Sequence, residues 1–111
     1  MKVPLVDLRA QLAELRPRVD AALAGVLDRC SFVLGPDVEE FERVFADRVG
    51  VRHAVGVNSG TDALVLALEA VRRDRGPGRV VTTPFTFFAT VEACLLAGPE
   101  PVFCDIEAGS F

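Results

Sequence analysis

No stretch narrows the choice of fold as sharply as His53-Ala54-Val55-Gly56-Val57-Asn58-Ser59-Gly60-Thr61-Asp62-Ala63-Leu64. It reads as a short apolar strand, a tight turn of small residues and the first turn of a helix. A helix start carries unpaired N–H groups and the positive end of the helix dipole, so the natural guest for such a turn is a phosphate. Gly60 lets the backbone approach that guest without a Cβ in the way. The hydroxyls of Ser59 and Thr61 can donate to phosphate oxygens beside the N–H groups of Thr61 and Asp62, and the Asp62 carboxylate has to turn away from an anion. The plainer alternative is a strand-to-helix turn in which Ser59 or Thr61 only caps the helix. Neither GxxxxGK(S/T) nor GxGxxG spacing occurs here, so the turn is not a Walker loop or a dinucleotide fingerprint.

Ahead of this stretch, Leu8, Leu12, Leu15, Val19, Leu23 and Leu27 recur at helical steps between about Asp7 and Arg29, with Pro17 predicting a break or kink. Cys30 to Gly35 (CSFVLG) reads as an extended connection. Pro36 to Arg48 reads as a second helix: Pro36 suits its first turn, Asp37, Glu39 and Glu40 suit its positive end, and Phe41, Phe45 and Val49 share a face. Gly50 is its expected stop.

Beyond the turn, Thr61 to Val71 is apolar nearly all round, which predicts burial on more than one face. Arg72 to Arg79 reads as a surface loop, and Val80 to Thr83 as a strand stopped by Pro84. Thr86 to Ala97 is helical in pattern and ends at Gly98 and Pro99, and Pro101 to Ile106 reads as a further strand. The order from His53 is thus β-α-β-α-β, with strands about every 24 residues, the period of parallel strands joined by crossover helices. An α/β fold follows, with an amino-terminal helical segment over 1–52 and the start of a cofactor-binding α/β domain over 53–111. Ser59-Gly60-Thr61 and Thr83-Pro84-Phe85-Thr86-Phe87 then fall at carboxyl ends of strands, where two loops can converge on one ligand.

Composition removes several alternatives. Half the residues are hydrophobic and a quarter charged, as in a globular domain. Lys plus Arg is 12 against 16 Asp plus Glu, a net charge of −4, so nucleic acid is not an expected partner. No apolar run reaches membrane-spanning length and the charged start does not resemble a signal peptide, so no membrane partner is expected either. Cys30, Cys94 and Cys104 are odd in number, lack CxxC spacing and have apolar neighbours, which predicts reduced, buried thiols in a cytoplasmic protein. Lys2 is the only lysine and His53 the only histidine, so a mechanism needing an internal lysine or a histidine pair is not completed by these residues.

Phe85, Phe87 and Phe88 cluster just after the second strand. Such a cluster offers a flat face on which a cofactor ring can stack, or else packs a helix start. Taken together, VPLVDLRAQLAEL, FVLGPDVEEFE, HAVGVNSGTDALVLAL and VTTPFTFFATVEACLLAGPEPVFCDI resemble the amino-terminal portion of the DegT/DnrJ/StrS family. The resemblance spans nearly the whole chain, with four motifs in the family's order. It implies the large domain of fold type I pyridoxal-phosphate enzymes and activity as a homodimer. The implied reaction carries an amino group, from glutamate, to a nucleotide-linked keto-sugar in polysaccharide or deoxyamino-sugar biosynthesis. By the same resemblance, Ser59, Gly60 and Thr61 match the family's SGT segment at the cofactor, Thr61 and Asp62 hold the phosphate of pyridoxal 5'-phosphate, Phe87 stacks on its ring, and Phe32 and Gly35 lie near the sugar, partly across the dimer.

The resemblance also implies that the Schiff-base lysine and the acid facing the pyridine nitrogen come after Phe111, and that Lys2 matches no family motif. Catalytic residues are therefore not assigned here. A catalytically inactive truncated paralogue acting as a structural or interaction module stays open, as do a generic phosphate-binding α/β module and a dehydratase in place of an aminotransferase. With sheet edges and apolar faces uncovered, the isolated 111 residues are expected to be poorly soluble or oligomeric.

Overall fold

A computed structural model describes residues 4–110. Lys2 and Phe111, both used in the sequence reading, lie outside the described residues. The chain divides into two compact units, one ending at Gly56 and one beginning at Val57.

The first unit is built on two helices, α1 (Leu8–Arg29) and α2 (Pro36–Val49). Asp7 caps α1, its carboxylate accepting the Ala10 N–H at 3.0 Å. Pro17 does not break this helix, contrary to expectation: α1 runs through it for 22 residues. A proline removes only its own N–H from the ladder, and a helix established on both sides propagates past one missing bond. The Arg16–Asp20 ion pair at 2.7 Å closes the turn around the proline.

Cys30 to Gly35 is bent rather than extended, because Cys30 and Leu34 both take left-handed backbone angles (φ 49° and 47°). Arg29 spans the bend to Asp37 at 2.6 Å, joining the end of α1 to the first turn of α2. Pro36 and the acidic first turn start α2, and Gly50 stops it at φ 77° with its N–H bonded to the Ala46 carbonyl. Phe41 and Phe45 stack at 5.7 Å along α2.

The short strand expected from His53 onward, ahead of the Gly60 turn, is not formed. A strand exists only where a ladder partner takes its backbone groups, and the described strands pair with each other. A side chain takes that place at Gly56, whose N–H donates to Glu42 Oε1 at 2.6 Å.

The second unit holds α3 (Gly60–Arg75), β1 (Arg79–Thr82), α4 (Phe88–Ala97) and β2 (Glu100–Phe103). The two strands pair in parallel, Arg79 opposite Glu100 and Thr82 opposite Phe103, with α4 as the crossover, so the fold is α/β. Its core is α4, where Ala89, Ala93, Cys94 and Ala97 are buried. This small-residue helix packs against both α3 and β2.

Two expectations about α3 fail. Its helix continues through Arg72 to Arg75, where a loop was expected, and the loop begins only at Gly76. Arg72, Arg73 and Arg75 suit the negative end of the helix, and Glu69 pairs with both Arg72 and Arg73. Burial is one-sided: Val65 and Leu68 are half-buried, while Leu64, Leu66 and Val71 stay exposed. The thiols differ too, since Cys94 is buried but Cys30 and Cys104 are exposed. Cys30 ends a helix and Cys104 follows a strand, whereas Cys94 lies inside the packed helix. Among the described residues, no helix is long and apolar enough to cross a membrane.

Candidate functional site

The start of α3 is held by its own cap. Ser59 Oγ accepts the Asp62 N–H at 3.1 Å and donates to Asp62 Oδ2 at 2.8 Å. Ser59 is thus the helix cap, as in the plainer of the two sequence readings of this turn, and its hydroxyl and the Asp62 N–H are bonded to each other. The N–H groups of Gly60 and Thr61 precede the first intrahelical bond, Ala63 N–H to the Ser59 carbonyl at 3.0 Å. They are therefore the donors this helix start can offer to a guest.

The loop after β1 forms the facing wall. Thr83 Oγ1 accepts the Phe85 N–H at 3.1 Å and turns the chain, and Phe87 takes the cap position of α4. Gly60, Thr61 and Leu64 of α3 then line one surface cavity of about 320 Å³ together with Phe87, Ala89 and Thr90. That volume is in the range of small-molecule sites. Two segments more than twenty residues apart, about six turns of helix by its pitch, thus meet at one place, with amide donors on one side and an aromatic ring on the other.

Of the residues singled out in the sequence, the structure brings Gly60, Thr61 and Phe87 to this cavity. Ser59 and Asp62 adjoin it in the chain but are bonded to each other. Phe85 and Phe88 are absent from its lining, and with Phe87 they stay exposed (91%, 67% and 82%). The three rings therefore do not form a buried packing cluster. Sequence reading missed Leu64, Ala89 and Thr90, although Leu64 stands one helical turn after Thr61 and Thr90 one turn after Phe87.

Phe32 and Gly35 belong to the first unit. Phe32 is exposed, whereas Gly35 begins α2 so close to Ser31 that a Cβ would sit 2.5 Å from its Oγ and 3.1 Å from its carbonyl oxygen. Gly35 thus has a packing reason to be glycine. Gly60 has none: its φ is not positive, and an added Cβ would meet nothing within 4 Å. The space it leaves open is the cavity, so the residues present fit a phosphate-bearing group with a flat ring. Elsewhere in the first unit, His53 shares a hollow of about 260 Å³ with Glu39, Glu42, Arg43 and Arg52, a mixed-charge surface with no aromatic wall.

Residues 14–111 match the DegT/DnrJ/EryC1/StrS aminotransferase family. The chain belongs to this family. Its enzymes are pyridoxal-phosphate-dependent aminotransferases of fold type I. Among relatives, the chain is 47% identical over 106 residues to a UDP-N-acetyl-3-dehydro-alpha-D-glucosamine 3-aminotransferase of Acidithiobacillus ferrooxidans, covering 95% of this chain and 28% of the relative. A solved structure of a family aminotransferase from Brucella abortus is similar at 40% identity and a TM-score of 0.80, over 96% of this chain and 28% of that one. The DesV structure from S. venezuelae, in complex with a ketimine intermediate, is similar at 43% identity and 0.79, over 92% of this chain and 27% of that one. The chain thus spans between a quarter and a third of the length of these relatives.

Proposed function

We propose that this protein is a pyridoxal-phosphate-dependent aminotransferase that moves an amino group, from glutamate, to a nucleotide-linked keto-sugar. The carrying observation is the shared cavity of Gly60, Thr61 and Phe87, with a glycine whose missing Cβ serves neither conformation nor packing. Family membership supports the reaction class, and the names of relatives, which cover UDP-linked and dTDP-linked sugars alike, support a nucleotide-linked sugar. In this reading the protein works in the cytoplasm as a homodimer.

When bound, pyridoxal phosphate supplies the electron sink that amine transfer needs. The residues of this chain do the holding. The N–H groups of Gly60 and Thr61 and the Thr61 hydroxyl donate to the phosphate, aided by the dipole of the 16-residue α3. Ser59 and Asp62 keep that turn in shape through their mutual bonds, so their contribution to phosphate holding is through the backbone. Phe87 would offer the ring a flat face on which to stack. Phe32 and Gly35 are assigned to the sugar side.

The test is binding and turnover in the complete protein. Phe87→Ala is expected to weaken pyridoxamine 5'-phosphate binding about fivefold while leaving inorganic phosphate binding unchanged. Release of 2-oxoglutarate from glutamate, dependent on a nucleotide-linked keto-sugar, should fall with it. Wild-type protein with no affinity for pyridoxamine phosphate, or a variant that binds it as well as wild type, overturns the reading.

A further inference from the structure

Phe87 occupies a position that helix physics would give to another residue. It is the cap of α4, where Ser, Thr, Asp or Asn is preferred, and no side chain bonds the free N–H groups of this helix start. Threonines stand on both sides instead. Thr86 precedes the cap and Thr90 lies one turn into the helix, and their hydroxyls meet at 3.0 Å. The Thr90 N–H also donates to the Phe87 carbonyl at 3.0 Å. Phe87 therefore lies between two residues joined by a side-chain bond, and its own carbonyl accepts a backbone bond from one of them. Its ring, 82% exposed, gains little from packing within the unit. A local rule broken in favour of an exposed aromatic marks a site where the ring is wanted for something outside the chain.

Resting on the cofactor reading above, we propose that Thr90, through its bond to Thr86, is the positioning residue that sets the Phe87 ring as the stacking wall of the cavity. The Thr90 side chain lines the same cavity, so loss of its hydroxyl leaves the wall in place but frees the segment that aims it. An untethered ring spends part of its time off the stacking geometry, and affinity for the flat ligand falls without loss of the phosphate contacts.

The test compares T90V, T90S and T86V in the complete protein, with pyridoxamine 5'-phosphate and inorganic phosphate as probes. T90V and T86V are each expected to bind pyridoxamine phosphate about fivefold more weakly, with phosphate affinity unchanged. T90S restores the hydroxyl and is expected to bind as wild type. T86V breaks the same bond from a residue outside the cavity lining, so it decides the matter even if T90V fails to fold. Wild-type affinity in T86V overturns the inference, as does weakening in T90S equal to that in T90V. Wild-type protein that binds phosphate but not pyridoxamine phosphate overturns the cofactor reading and the inference with it, a result distinct from normal wild-type binding with unaffected variants.

Discussion

Gly60 stands at the first position of α3, where alanine would be the better helix former by up to about 1 kcal/mol. Nothing in the chain forbids that alanine, since its Cβ would lie in open space. Gly60→Ala is therefore expected to leave thermal stability equal or slightly raised, while affinity for pyridoxamine phosphate falls by about tenfold as the methyl crowds the guest. Calorimetry beside equilibrium binding checks the pair of signs, and unchanged affinity would remove Gly60 from the site. The small-residue turn itself was legible in the sequence. Ser59 as its cap was legible too, as the plainer of two readings, whereas the bond from the Ser59 hydroxyl to the Asp62 carboxylate was not. Ser59 and Asp62 satisfy each other, because a cap hydroxyl three residues from an amide and a carboxylate finds both locally before any ligand arrives.

At the scale of elements, helix stops were the most readable feature. Gly50 and Gly98 each end a helix at positive φ (77° and 96°), a conformation in which glycine alone escapes a Cβ penalty. Helix continuity was less readable. Pro17 and the Arg72–Arg75 turn both read as interruptions in the sequence, yet neighbouring turns and Glu69 ion pairs carry the helices through. On α2, Arg43 reaches Glu40 at 2.7 Å and Asp47 at 3.0 Å. A hydrogen bond from Arg43 holds the Glu40 carboxyl below its ordinary range, against desolvation and with a smaller aid from the Arg43 charge. A carboxyl depressed in the folded state contributes stability above its unfolded pKa and loses it as pH falls through the folded value. Arg43→Gln is accordingly expected to raise the Glu40 pKa toward the ordinary carboxylate value in an NMR titration and to remove that part of the acid dependence. An unmoved titration would show that the pair does not persist in solution.

At the scale of the molecule, the buried apolar residues are few and small. Among the described residues they are Ala46 in the first unit and Ala89, Ala93, Cys94, Ala97 and Pro99 in the second. Leu12, Leu15, Leu23 and Leu27 on α1, and Leu95 and Leu96 on α4, are exposed. Surfaces of this kind are covered by other protein or by self-association. The 111 residues prepared alone are expected to sediment as oligomers at micromolar concentration, and a monodisperse monomer with one cooperative unfolding transition would contradict this.

The residues by themselves determined the helix stops at Gly50 and Gly98, the parallel alternation of the second half and the small-residue turn at Gly60. These follow from backbone angles, capping and periodicity, which act over a few neighbours. Only the tertiary structure decided that the segment from His53 to the Gly60 turn lacks a ladder partner, that one thiol of three is buried, and that Thr90 and Phe87 share a cavity with Gly60. Each of those outcomes depends on which distant segment arrives alongside, a matter of packing that local preference does not encode.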